Sequence, residues 1–206
     1  MISLYAFKYT PKSRSNEGTA LWESGLGHWF FVGKLAGLGV KIVSVDLRDS
    51  PNSRGYEVDI DKMTSQVISA AGGEAIFLAA DITDTEAVRK LFNKIKNDFG
   101  RLDILINCAG YWAPFDLFAD ESEELWSKMT AVNTLGTARM CRLAISHFLE
   151  QDVDPSWGSR GRIVNISSCA GVVGFPWRSG VFSDQGFDQS HDPGSSAGPR
   201  QRLYQH

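Results

Sequence analysis

Four short β-branched runs, each closing on a polar residue, constrain most what this chain can fold into. Residues 40–46 read Val-Lys-Ile-Val-Ser-Val-Asp, between Gly39 and the turn-rich Asp49-Ser50-Pro51-Asn52-Ser53, and these are the marks of a buried strand. Comparable runs recur over residues 75–81, 102–107 and 162–167. Helical patterns separate them, and the clearest sets Val88, Leu91, Phe92, Ile95 and Phe99 on one face, at the spacing of an amphipathic helix. Thr83 and Glu86 match a capping box at its start, and Gly100 stands where helices commonly end. Further helices are expected over residues 28–38, 121–130 and 133–149, the last with Leu143, Ile145 and Phe148 as apolar contacts.

Alternation of this kind implies an α/β chain with a parallel sheet, because parallel neighbours need a crossover that a helix supplies. Ligands in such sheets bind beyond the carboxyl ends of the strands. The residues just after each strand are therefore the candidates for function.

Composition narrows the class. With 21 Lys+Arg against 24 Asp+Glu, the net charge of -3 gives no basic excess of the kind a nucleic-acid binder gathers on one face. No apolar run is long enough to span a membrane. Cys108, Cys141 and Cys169 are too scattered for a disulfide framework or a Cys-x-x-Cys metal site, and no metal is expected. A cytoplasmic setting is the default. Lys8, Lys12 and Arg14 precede the first acid, Glu17, without the apolar core of a secretory signal, which leaves a transit peptide or an irregular N-terminus open.

The strand ends carry the chemistry. Ser24-Gly25-Leu26-Gly27 opens the first expected helix, where glycines let the backbone approach a pyrophosphate and the helix start offers free N–H groups. A simple turn reads equally well from that segment alone. Asp46 closes the next strand 19 positions after Gly27, near the spacing at which an acid accepts hydrogen bonds from an adenosine ribose. A carboxylate there repels a 2′-phosphate, so NAD is preferred, and Arg48 leaves NADP open. Asp81-Ile82 ends the following strand and Asn107-Cys108-Ala109-Gly110 the one after it. Asn107 is expected to brace its loop or the neighbouring strand, and the small Ala109-Gly110 pair leaves room for a ribose. Ser167-Ser168 closes the last strand ahead of Ala170-Gly171. Trp112, Phe115, Leu117 and Phe118 form either an apolar pocket wall or a plain loop cluster. Asp120, Glu121, Glu123 and Glu124 read as the acidic first turn of a helix.

In this order and spacing the motifs over residues 24–176 resemble the short-chain dehydrogenase/reductase family. The resemblance rests on Ser-Gly-Leu-Gly, Asp46, Asp81-Ile82-Thr83-Asp84, Asn107-Cys108-Ala109-Gly110, Val132-Asn133 and Ile163-Val164-Asn165-Ile166-Ser167-Ser168. It implies a Rossmann-type, doubly wound parallel sheet in three αβα layers that binds NAD(H) or NADP(H) and transfers a hydride between nicotinamide and an alcohol or ketone. It implies that Gly25, Leu26 and Gly27 lie at the pyrophosphate, Asp46 at the adenosine ribose, and Asp81 with Ile82 at the adenine. Asn107, Ala109 and Gly110 would line the nicotinamide-side ribose. Ser168 matches the serine that orients the substrate oxygen, and Asn133 the helix asparagine that holds a water in the proton relay.

The chain departs from the family pattern in two places. Ala20-Leu21-Trp22-Glu23 replaces the small residues before the glycine turn, and residues 16–22 hold few β-branched residues for a first strand. Where the family carries Tyr-x-x-x-Lys, Phe182 stands 14 positions beyond Ser168 and Gly186 four further on; no lysine follows Lys128, and Tyr204 is the only later tyrosine. Phenylalanine has no ionisable proton, so the expected general acid/base is missing. Residues 178–206 have no apolar period and are rich in Gly, Ser and Gln, which reads as a disordered tail. The expected organisation is an irregular segment at 1–18, an NAD(P)-binding Rossmann domain at 19–177 truncated after the fifth strand, and the tail at 178–206. The family reading makes the chain an oxidoreductase of an alcohol or ketone, without nucleic-acid or membrane partners. A frameshifted or truncated member that binds only nucleotide or a partner subunit is the alternative. Homo-oligomers are typical of the family, and one of the two helices they use is the one expected to be absent here.

Overall fold

A computed structural model describes residues 4–12, 15–19, 40–49, 62–70, 72–111 and 120–168. The chain divides into two compact units, Met1–Tyr111 with Ala131–Ile166, and Trp112–Thr130 with Ser167–His206.

A six-stranded sheet carries the first unit. In β3 (Lys41–Asp46) the side chains of Ile42, Val43 and Val45 are buried with Ser44 among them, so both faces of the strand are covered, as a continuous apolar run requires. β4 (Glu74–Ala79) pairs with it in parallel from Lys41↔Glu74 to Asp46↔Ala79, and Lys41 Nζ lies 2.7 Å from Glu74 Oε2 across the first pair. β5 (Ile104–Asn107) and β6 (Arg162–Asn165) form a second parallel pair, from Ile104↔Arg162 to Asn107↔Asn165.

Between the two pairs lies β1 (Leu4–Lys12), antiparallel to both neighbours. Leu4 pairs with Val45 and Lys8 with Lys41 on one side, while Tyr5 pairs with Ile106 and Ala6 with Leu105 on the other. β2 (Ser15–Thr19) turns back along β1, from Lys12↔Ser15 to Phe7↔Thr19. The order β4-β3-β1-β5-β6 puts the first strand of the chain in the middle and the next pairs on either side, which is the Rossmann order. Two expectations are corrected. Within the segment at 1–18, Leu4–Lys12 and the residues from Ser15 on are strands rather than irregular chain, and the central strand is Leu4–Lys12, in the reverse direction. The reason is strand propensity: Tyr5, Phe7 and Tyr9 alternate along the segment, and aromatic and β-branched residues favour pleated backbone, whereas residues 16–22 offer little of either. Residues 20–22 lie outside the described residues.

Helices cover the strands. α1 (Thr64–Ala70) buries Ile68 and packs on β4. α2 (Thr85–Phe99) buries Val88, Leu91, Phe92 and Ile95, the expected stripe. Its cap is Asp84 rather than the expected Thr83: Asp84 Oδ1 accepts from the N–H groups of Glu86 at 2.8 Å and Ala87 at 3.2 Å, and Thr83 is drawn instead to Asp81. Gly100 ends α2 at φ 74, with its N–H on Lys96 O, the left-handed cap that glycine takes without a Cβ penalty. In the second unit, α3 (Glu123–Met129) is capped by Ser122 Oγ, which accepts from Leu125 N at 3.1 Å, and carries Glu123 and Glu124 in its first turn.

Thr130–Gly136 is π-helical, and α4 (Thr137–Glu150) follows it. α4 buries Met140, Ala144, His147 and Phe148; of the expected contacts, Phe148 is buried but Ile145 is 50% exposed. The inward face runs from Gly136 through Met140 and Ala144 to His147 and Phe148, and half-buried Leu143 packs against the core beside it. α2 and α4 pack on each other, and α4 reaches β5 and β6. The expected helix at 28–38 and the tail at 178–206 lie outside the described residues. Among the described residues no helix is long and apolar enough to cross a membrane.

Candidate functional site

The parallel strands β3, β4 and β5 end on one edge of the sheet, where Asp46, Asp81, Ile82 and Asn107 stand. At the end of β3, Asp46 Oδ1 accepts from its neighbour Leu47 N at 2.6 Å, while the Asp46 carbonyl takes the N–H of Ala80 at 3.0 Å and so ties this strand end to that of β4. Burial raises the pKa of the Asp49 carboxyl, and the negative charge of Asp46 pushes it the same way. The strand end is thus a carboxylate environment, with Leu47, Arg48 and Asp49 exposed after it.

At the end of β4 the chain folds into a tight turn. Asp81 Oδ1 accepts from Thr83 N at 2.8 Å and Thr83 Oγ1 at 2.7 Å, and Asp84 N closes on Asp81 O at 3.0 Å. Ile82 points inward and is 8% exposed. Gly136 sits against it: a Cβ there would come 2.7 Å from Ile82 Cδ1. Arg139 of α4 donates through Nε to Thr85 Oγ1 at 3.0 Å and through Nη1 to the Ile82 carbonyl.

At the end of β5, Asn107 is buried and its Nδ2 donates to Asn165 Oδ1 of β6 at 2.8 Å and to Cys141 Sγ at 3.2 Å. Asn107 therefore braces the neighbouring strand, as its position suggested. Its Oδ1 is buried with no hydrogen-bond partner. Burial raises the Cys141 thiol pKa, against the smaller lowering from Asn165 and Asn107. Cys108, Ala109 and Gly110 follow, half-buried. Asn133, in the π-helical turn, accepts from Tyr111 N through Oδ1 at 2.6 Å and donates from Nδ2 to Tyr111 O at 3.2 Å, which pins the end of the Ala109-Gly110 loop.

The structure thus joins Asp46 to β4 and Asn133 to the loop after β5. Ser168 belongs to the second unit and is half-buried there. Gly25, Leu26, Gly27, Trp112, Phe115, Leu117 and Phe118 lie outside the described residues. Sequence reasoning missed Arg139 and Gly136. A signal was present in their spacing: Gly136 and Arg139 are three positions apart, which makes them neighbours on one helix face.

A dinucleotide fits the donor set on this edge: a strand-end carboxylate for ribose hydroxyls, a buried aliphatic beside a tight turn for adenine, and small residues after β5. The sequence model of the short chain dehydrogenases matches residues 24–180. The chain belongs to that family. Its relatives include an uncharacterized oxidoreductase of Thermotoga maritima, 38% identical over 57% of this chain and 43% of the other. Among solved structures, a Burkholderia xenovorans protein assigned to the short-chain dehydrogenase/reductases superposes with a TM-score of 0.64 over 79% of this chain and 56% of that one, at 24% identity, and so shares the fold. ElxO, solved with NADP bound, superposes with a TM-score of 0.51 over 58% of this chain and 46% of its own, at 33% identity. The chain therefore spans about half the length of the relatives it matches, and its class is that of the oxidoreductases.

Proposed function

We propose that this short-chain dehydrogenase binds a nicotinamide dinucleotide across the carboxyl ends of β3, β4 and β5 and serves the interconversion of an alcohol and a ketone. The observation that carries the reading is Asp46 at the end of β3, tied to β4 beside the Asp81–Ile82 turn. The cofactor supplies the hydride acceptor or donor. Asp46 holds the adenosine ribose hydroxyls, Asp81 and Ile82 flank the adenine, and Gly25, Leu26 and Gly27 serve the pyrophosphate. Asn107, Ala109 and Gly110 line the second ribose. Ser168 orients the substrate oxygen by donating to it, and Asn133 holds a water near the loop that its side chain pins.

The two carboxylates after β3 favour NAD, because a 2′-phosphate would add a third negative charge beside Asp46 and Asp49. NADP, which ElxO binds, would have to draw on Arg48. Fluorescence titration with NADH and NADPH tests the reading, followed by turnover of generic secondary alcohols. Tighter binding of NADH with turnover supports it, and absence of binding to either nucleotide sinks it. Binding without turnover favours a second reading, a chain that holds nucleotide or a partner subunit without chemistry. Phe182 and Gly186, at the positions where the family resemblance calls for Tyr and Lys, speak for that outcome.

A further inference from the structure

We propose that Arg139 is a positioning residue that sets the affinity of this site for the adenosine half of its dinucleotide, acting through the Ile82–Thr85 turn. The inference rests on the dinucleotide reading above and adds a residue outside the strand-end motifs. The turn after β4 is held internally by two side-chain clasps, joined by the backbone bond from Asp84 N to Asp81 O. Asp81 fastens Thr83 through its backbone and hydroxyl, and Asp84 fastens the first turn of α2 through Glu86 and Ala87. The Arg139 guanidinium adds a tie from outside the turn, taking the Ile82 carbonyl on one side and the Thr85 hydroxyl on the other. One turn earlier on the helix, Gly136 lets the backbone rest directly on the Ile82 side chain. The same residue of the turn is therefore gripped twice, at its side chain and at its carbonyl, and both grips come from one helical segment.

The residue type fits the task. A planar guanidinium presents several donors in a fixed fork and reaches two acceptors at a set angle, which the point charge of a lysine does not. The carboxylates of the turn and of the first turn of α2, Asp81, Asp84 and Glu86, favour a cation here and offset the unfavourable helix dipole at Thr85, and the two hydrogen bonds fix where on the turn the guanidinium sits.

The test measures binding of NADH and of reduced nicotinamide mononucleotide, which lacks the adenosine half, to the full chain and to Arg139→Met, Arg139→Lys and Thr85→Val. Thr85→Val removes one of the two acceptors without altering α4, so the test survives if Arg139→Met fails to fold. The expected result is a loss of about tenfold in NADH affinity for Arg139→Met. A smaller loss is expected for Thr85→Val, with partial recovery in Arg139→Lys and binding of the mononucleotide unchanged in all three. Equal NADH affinity in Arg139→Met, Thr85→Val and the parent would overturn the inference, as would parallel loss of both nucleotides, which marks a general structural role. Failure of the parent itself to bind NADH overturns the dinucleotide reading, and the inference with it.

Discussion

His147 is a buried imidazole between two helices, with its ring 6.4 Å from that of Phe92. Burial lowers its pKa below the ordinary 6.5 and Lys96 pushes the same way, while Glu150, ion-paired to Lys96, opposes them. The folded state then binds fewer protons than the unfolded chain below pH 6.5. Its contribution to stability is full above that pH and is lost as pH falls from 6.5 through the folded pKa. Thermal unfolding followed by circular dichroism at about pH 7.5 and about pH 5.5 should show a drop that His147→Leu flattens; an equal drop in the variant would refute the assignment. Asp46 makes a second residue-scale prediction. Asp46→Asn keeps the size and removes the charge, so NADH should bind about tenfold more weakly while NADPH is held as well or better. These roles differ in legibility: Asp46 stands at a readable strand end, whereas the burial of His147 depends on which face of α4 turns inward.

At the scale of the element, the best-read helix is α2. Its stripe and its terminal glycine are local features, and both are observed, with Phe99 half-buried at the end of the stripe. Its N-cap moved one position from Thr83 to Asp84 because Asp81 competes for the Thr83 hydroxyl, a contest that capping rules do not resolve. Asp84→Ala should cost about 1 kcal/mol in chemical denaturation; a change in midpoint no larger than that of an exposed mid-helix alanine substitution would contradict the cap. α4 was harder to read, since Leu143 and Ile145 stand two positions apart and cannot both face inward on one helix. Its packing on the sheet is close: a Cβ at Gly161, just before β6, would run into the Phe148 ring. Gly161→Ala should therefore destabilise by about 1–3 kcal/mol through overpacking, and Phe148→Leu in the same chain should recover part of that loss.

For the whole molecule the decisive element is β1. It joins two parallel pairs into one sheet, and the backbone of Ala6 is paired with Val43 on one side and Leu105 on the other. A proline there removes an N–H from the middle of the ladder. Ala6→Pro should cost about 3 kcal/mol or more and blunt the cooperativity of unfolding; an unchanged urea midpoint and slope would show that the pairs hold together without β1. β1 also sets the path of the chain. Its carboxyl end, beyond Lys8↔Lys41, lies where β3 begins, and β2 then turns the chain back in the direction of β3.

The sequence by itself determined the strand–helix alternation, the residues at the strand ends, the glycine that ends α2 and the family, because each is written in local period, turn chemistry or motif order. Tertiary structure alone decided which segment fills the middle of the sheet and in which direction. It also decided that Asn133 pins Tyr111, and that Arg139 and Gly136 grip Ile82. Those outcomes turn on competition between distant segments for the same backbone partners and the same buried volume, and no local window of the sequence contains both competitors.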